Sequence, residues 1–217
     1  MAHWEEPDAG IWEIRAQPKH FLHSRVMCWV AMDRAIRLSK KRSLPAPLVV
    51  WAECRDAIAQ DIWDNFRHPE HGYFVQDRGG TELEAALLMM PLVRFVSATD
   101  PVWLNTLAAI GEQLRDDGLV YRYRNEDGLA GGEGAFTTCT FWYAECLARA
   151  GRLDEAQVIM AKGERYANAL RLFSEELDVR GLAQGNFPQA LTHLAFISAA
   201  FFTDRKLDPR HQSIWQP

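Results

Sequence analysis

Ser43-Leu44-Pro45-Ala46-Pro47 separates two stretches that carry the spacing of amphipathic helices. Upstream of it, Val26, Trp29, Val30, Asp33, Ile36 and Arg37 follow the i, i+3, i+4, i+7 pattern, with the apolar members in one stripe, which predicts a helix from Phe21 to Arg42. Downstream, Pro47 or Leu48 opens a second helix, since proline suits a first turn. Trp51, Cys54, Ile58 and Ile62 carry that helix to about Phe66. A link this short folds two consecutive helices into an antiparallel hairpin.

The same reading extends along the chain. Thr81-Glu82-Leu83-Glu84 has the form of a capping box, opening a Leu- and Met-rich helix that Pro91 kinks or ends. Asp100-Pro101 caps a helix reaching about Leu114, and Leu119 to Arg124 is extended, followed by turns at Gly128, Gly131, Gly132 and Gly134. Ala135 to Ala150 is helical and stops at Gly151, and Leu153 to about Leu170 forms the next helix. Asn186 caps a final helix with Pro188 in its first turn, ending near Phe202 before a polar, loose tail. Link lengths alternate between long and short, so every second link falls at the same end of an array of helical hairpins. Glu13, His68 to Asp77, Arg122 and Glu175 all lie in long links and are expected at one shared mouth, where loops concentrate function.

The chain of 217 residues, 48% hydrophobic and 24% charged, is large enough for a real core and fits one or at most two domains. A net charge of -5 carries no nucleic-acid footprint. Lys40-Lys41-Arg42, the basic run, closes a helix and complements its dipole. No apolar run approaches the ~20 residues of a membrane helix. Cys28, Cys54, Cys139 and Cys146 lack C-x-x-C spacing and read as buried thiols of a reducing compartment, placing the chain in the cytoplasm. His20 and His23, like His68 and His71, lack matching acidic or Cys ligands, so neither metal nor cofactor is expected. His193 reads as a hydrogen-bonded core residue, and the Gly131 to Gly134 stretch as a turn without the Lys-Ser/Thr of a phosphate loop.

Pro7-Asp8-Ala9-Gly10-Ile11-Trp12-Glu13-Ile14-Arg15 sets an acid between Trp12 and Ile14. Apolar neighbours disfavour the charged form of a carboxyl, which makes Glu13 a candidate proton donor. Such a donor needs a second carboxylate, and Ser174-Glu175-Glu176-Leu177-Asp178 supplies one. The pair suits glycoside hydrolysis, in which one carboxyl protonates the leaving oxygen and the other activates water or attacks.

These segments, with Pro18-Lys19-His20-Phe21, Tyr121-Arg122-Tyr123, Gly132-Glu133-Gly134-Ala135-Phe136 and Gly185-Asn186-Phe187-Pro188-Gln189-Ala190, resemble glycoside hydrolase family 15. That is the family of glucoamylases, glucodextranases and bacterial trehalases. The resemblance runs nearly to Asp204 and implies an all-α fold, an (α/α)6-barrel of helical hairpins with about half of the barrel present. Residues 1–204 are then the C-terminal part of a catalytic domain and 205–217 a loose tail. It further implies that Glu13 is the general acid and that Glu175 is the base activating water for inversion. Trp12 then packs on the sugar, Arg122 binds its hydroxyls, and the substrate is a short α-glucan or trehalose. An inverting pair stands ~6.5 to 9.5 Å apart with a water between its members.

Ile14 stands where fungal members place a second acid, and Leu177 where they place an aromatic, which points away from a fungal starch-type specificity. Glu176 is a rival base that nothing in the residues themselves excludes. Seven helices do not close a barrel of six hairpins, so Met1 is expected to be an internal start. The isolated chain is then expected to self-associate or to lack an N-terminal portion, with weak activity. The rival function is a non-catalytic carbohydrate-binding or regulatory toroid, since the regulatory subunits of phosphorylase kinase resemble the same family.

Overall fold

A computed structural model describes residues 3–13, 17–124 and 134–208. Ile14, Arg15, Gly128, residues 131–133 and the tail from 209 lie outside the described residues. The chain divides into two compact units, one formed by residues 3–97 and the other by the described residues from 98 onward.

In the first unit, α1 (Leu22–Arg42) and α2 (Leu48–Asn65) pack together as the expected hairpin. Leu22, Val26 and Ile36 of α1 and Ile58 and Ile62 of α2 are all buried. The hairpin also closes electrostatically: Arg25, near the start of α1, lies 3.5 Å from Asp61, near the end of α2. Ser43 takes a left-handed conformation at the end of α1, and its N–H donates to the Lys40 carbonyl. Asp33, buried within α1, is held by Arg34 and by Arg37 one turn on.

The helix expected from Thr81 does not form there. The Gln76 N–H donates to the Glu82 carbonyl at 2.8 Å, and Glu84 is extended, with its side chain turned inward instead of back toward a cap. Helical structure begins only with a 3-10 turn at Ala85–Leu88 and a single turn, α3 (Met89–Leu92), that ends just after Pro91.

In the second unit, α4 (Pro101–Gln113) starts as anticipated: the Asp100 carboxylate accepts from the N–H groups of Val102 and Trp103. Trp103, Thr106, Leu107 and Ile110 form its buried stripe. β1 (Arg115–Asp116) and β2 (Leu119–Val120) pair antiparallel around Asp117-Gly118, both at positive φ, the backbone that a two-residue hairpin turn demands. β3 (Ala135–Phe136) leads into α5 (Thr137–Arg149), which is buried from Thr137 through Ala148. A helix buried all round must be covered on several sides. α6 (Leu153–Glu164) and α7 (Ala190–Leu207) supply that cover. Between them, β4 (Glu176–Leu177) pairs with both β3 and β5 (Ala183–Gln184).

α6 ends at Glu164, short of the expected Leu170, and α7 runs on to Leu207. Asn186 does not cap α7. The Gln189 side chain accepts from the Thr192 N–H, because the Asn186 amide is engaged with Glu175.

Gly163 on α6 faces the ring of Phe141 on α5, and a Cβ there would lie 2.7 Å from the ring edge. Gly163→Ala is expected to lower stability by about 1–3 kcal/mol through overpacking, outweighing the ~1 kcal/mol helix-propensity gain of alanine. Urea unfolding monitored by circular dichroism checks the sign.

Candidate active site

The Trp12-Glu13 segment is built by a short run of backbone constraints. Asp8 and Lys19 exchange hydrogen bonds at 2.9 Å in both directions, closing residues 8–19 into a loop. Asp8 Oδ1 accepts from the Gly10 N–H at 2.6 Å and from Ser24 Oγ at 3.0 Å, which fastens the loop to α1. Gly10 has φ +69, and a Cβ would lie 3.1 Å from the Phe21 ring, so the turn requires glycine on both counts. Glu13 also takes positive φ, +52, a conformation that costs a non-glycine residue about 1–3 kcal/mol.

Glu13 itself is exposed. Ile14, one of the two apolar residues that flank it, lies outside the described residues. Trp12 is half-buried, with its indole nitrogen inside.

Among the described residues of this unit, Asp33, Asp77 and Glu84 are buried acids, and Glu84, 1% exposed, is the most deeply buried of the three. Burial pushes its pKa up to about 8. A hydrogen bond from Gln76, with Nε2 3.3 Å from Oε2, opposes the rise, while Asp77 and Asp8 add to it. Glu84 escaped notice because its spacing from Thr81 matched a cap. The signal that would have found it is the one applied to Glu13: an acid between apolar residues, here Leu83 and Ala85-Ala86-Leu87-Leu88.

In the second unit the structure brings Arg122 to the β4 segment. Its guanidinium lies 3.2 Å from Glu176 Oε1, and its carbon stands 5.1 Å from the centre of the Phe136 ring and 5.7 Å from that of Tyr123. Glu175 is fixed through its main chain. Its carbonyl accepts from the N–H of Thr137, the first residue of α5, at 2.9 Å, and its N–H donates to the Asn186 carbonyl at 3.0 Å. Its carboxylate accepts from both the backbone and the side-chain N–H groups of Asn186, each at 2.8 Å. Both donors converge on Oε2, and the other oxygen takes no part in either bond. Gly185 makes room for this, since a Cβ there would lie 2.7 Å from that oxygen.

The rival carboxylates are thus separated by local structure. Neighbouring residues of an extended segment point to opposite faces, so Glu176 turns to Arg122 and Glu175 turns to Asn186. Glu13 and Trp12 belong to the first unit, Arg122 and Glu175 to the second.

The histidines read from the sequence take structural places. His193 hydrogen-bonds the Gln189 carbonyl through Nδ1 at 2.8 Å and accepts from the Phe173 N–H at Nε2. His71 stacks with Tyr73, and His68 lies tilted against both rings. No group of three or more potential metal ligands occurs among the described residues. All four cysteines are free, and no helix among the described residues is long and apolar enough to cross a membrane.

Residues 1–162 match the family model of glycosyl hydrolases family 15. Over the whole chain, the sequence is 41% identical to a trehalase of Mycobacterium tuberculosis, covering 32% of that protein, and over 91% of the chain it is 41% identical to a trehalase of Thermoplasma volcanium. The chain spans about a third of the length of these curated relatives. Glu175 lies beyond the family-model match and inside the alignment with the mycobacterial trehalase. Among solved structures, the glucoamylase from Saccharomycopsis fibuligera superposes with a TM-score of 0.77 at 11% identity, over 95% of this chain and 59% of that one. A glycosidase in complex with glucose superposes at 0.80 and 18% identity, over 94% and 57%. The fold is accordingly the (α/α)6 toroid type, of which this chain forms a part.

Glu84 gives a pH signature. The acid holds its proton in the folded state up to about pH 8, whereas in the unfolded chain it ionises near its ordinary value of 4.5. Between these limits the folded state binds more protons, so this group makes stability fall as pH rises, and the fall ends above about pH 8. Relative to Glu84→Gln, the wild-type melting temperature is expected to drop progressively from pH 5 to pH 8 and then to run parallel, as thermal unfolding across that range would register.

Proposed function

The chain belongs to glycosyl hydrolases family 15, and from that premise we propose that it hydrolyses the α-glucosidic bond of trehalose, with short α-glucans as a second substrate class, by inversion. The observation that carries this reading is the 41% identity to a trehalase along the whole chain, from the Trp12-Glu13 segment through Glu175. In the proposed reaction Glu13 gives its proton to the bridging oxygen as the bond to the anomeric carbon breaks. Glu175 takes a proton from the water that attacks the opposite face of that carbon. Asn186 favours this role: two donors on Oε2 keep the carboxylate oriented. Arg122, backed by Phe136 and Tyr123, binds sugar hydroxyls, and Trp12 packs on the ring.

Inversion of trehalose yields one β-glucose from the attacked ring and one α-glucose from the leaving ring. Proton NMR during the first turnovers is expected to show the two anomers in equal amounts; α-glucose alone would reject inversion. Glu13→Gln and Glu175→Gln are each expected to lower kcat by about 10²–10⁴-fold, and full activity in both would reject these roles.

The free thiols suit a reducing, cytoplasmic setting. Leu194, Ile197 and Phe201 share one face of α7 and are 64%, 61% and 52% exposed. This supports self-association of the chain. Size-exclusion chromatography with light scattering is expected to give more than the monomer mass of 24.8 kDa, and a monomer across micromolar concentrations would refute it.

A further inference from the structure

We propose that Glu176, the neighbour of Glu175, is a positioning residue: its carboxylate holds the Arg122 guanidinium in the orientation that receives sugar hydroxyls. The consequence for substrate rests on the hydrolase reading, and the geometry does not.

Glu176 sits on the central strand of the small sheet. In register it stands opposite Phe136 of β3 on one side and Gln184 of β5 on the other. Its carbonyl also accepts from Ser174 Oγ at 2.9 Å. Side chains alternate across a strand, so the next residue, Leu177, and its partner Ala135 turn the opposite way, into a buried cluster with Leu119. That packing dictates the face that Glu176 takes, because a slip of one residue would carry its charge into the place of Leu177. Glu176 and Phe136 are thus direct cross-strand neighbours on the other face.

Arg122 lies on this pair. Its Nη2 is 3.2 Å from Glu176 Oε1, and its guanidinium carbon is 5.1 Å from the centre of the Phe136 ring, inside the ~6 Å reach of a cation over an aromatic face. A guanidinium is planar and rigid, with its N–H donors in one fork. Fixing one nitrogen on a carboxylate and the carbon over a ring therefore fixes the direction of the remaining donors. The two side chains are only 18% and 20% exposed, so salt screens their attraction less than that of a fully exposed pair. Order established before a ligand arrives does not have to be established on binding.

The test uses the whole chain in three arms. The first needs no substrate: the shift in urea midpoint on Glu176→Leu is measured in the wild type and in Arg122→Met. The midpoint is expected to fall further where Arg122 is present, because a partly buried cation is then left without its carboxylate. Equal shifts in the two backgrounds overturn the pairing.

The second arm measures the Kd of trehalose by calorimetry in a Glu13→Gln background, chosen to slow turnover. Glu176→Leu is expected to weaken binding about 3- to 10-fold, the effect of having to order one long side chain on binding. Once Arg122→Met is in place, adding Glu176→Leu is expected to change Kd by less than about twofold. A full repeat of the loss overturns the positioning role, since Glu176 then acts without Arg122, and so does an unchanged Kd in Glu176→Leu alone. Should Glu176→Leu not fold, Glu176→Gln, which keeps the length and loses the charge, runs the same cycles.

The third arm is steady-state turnover. Glu176→Gln is expected to raise KM for trehalose while kcat stays within about threefold of the wild type, the pattern of lost binding. A kcat loss matching that of Glu175→Gln would make Glu176 the base and overturn the proposal. A chain that binds trehalose without cleaving it counts against the hydrolase reading and leaves the Kd cycle in force. A chain that does neither also counts against that reading, and the urea cycle then decides whether Glu176 holds Arg122.

Discussion

Complete burial of α5 is the constraint on which the second unit depends. Twelve consecutive residues, Thr137 to Ala148, are withdrawn from water, so neighbours must surround this helix and its ends have no freedom to drift. Its first N–H is bound to the carbonyl of Glu175. The residue immediately before it, Phe136, pairs with Glu176 across the small sheet and lies under the Arg122 guanidinium. Core packing and the placement of the Glu175 main chain are thus one problem solved once: the apolar contacts of α5 with α6 and α7 locate the hydrogen-bond partner of the 175–176 segment.

The first unit solves a different problem. Its hairpin is joined by an ionic contact between Arg25 and Asp61, and the segment that carries Trp12 and Glu13 is closed by the Asp8–Lys19 pair and fastened to α1 through Asp8 and Ser24. Three carboxyls there have three different fates. Asp8 is an acceptor for backbone and hydroxyl donors, Glu13 faces water, and Glu84 is sealed inside with its proton retained to about pH 8. Chemical identity is nearly the same in each; solvent access and the number of facing donors make the difference.

Features with a local physical cause were legible from the residues. The Asp100-Pro101 cap, the stop at Gly151, the hairpin across residues 43–47 and the run of α1 depend on neighbours a few positions away, and each formed close to where the pattern set it. Thr81 to Glu84 and Asn186 misled for one shared reason. Both matched a helix-cap pattern, and in both the polar side chain found a partner outside its own helix: Gln76 for Glu84, Glu175 for Asn186. The exposure of Glu13 likewise depends on which side chains cover it, which flanking residues in a loop do not determine.

By itself the sequence determined the helical hairpins, the family and the two carboxylate segments, because periodicity, capping and motif order are properties of consecutive residues. Only the tertiary structure decided which carboxyl lies buried, and which of two adjacent glutamates turns to Arg122 and which to Asn186. Burial and pairing are set by residues distant in the chain, and a side chain's solvation, unlike its helical register, has no period to read.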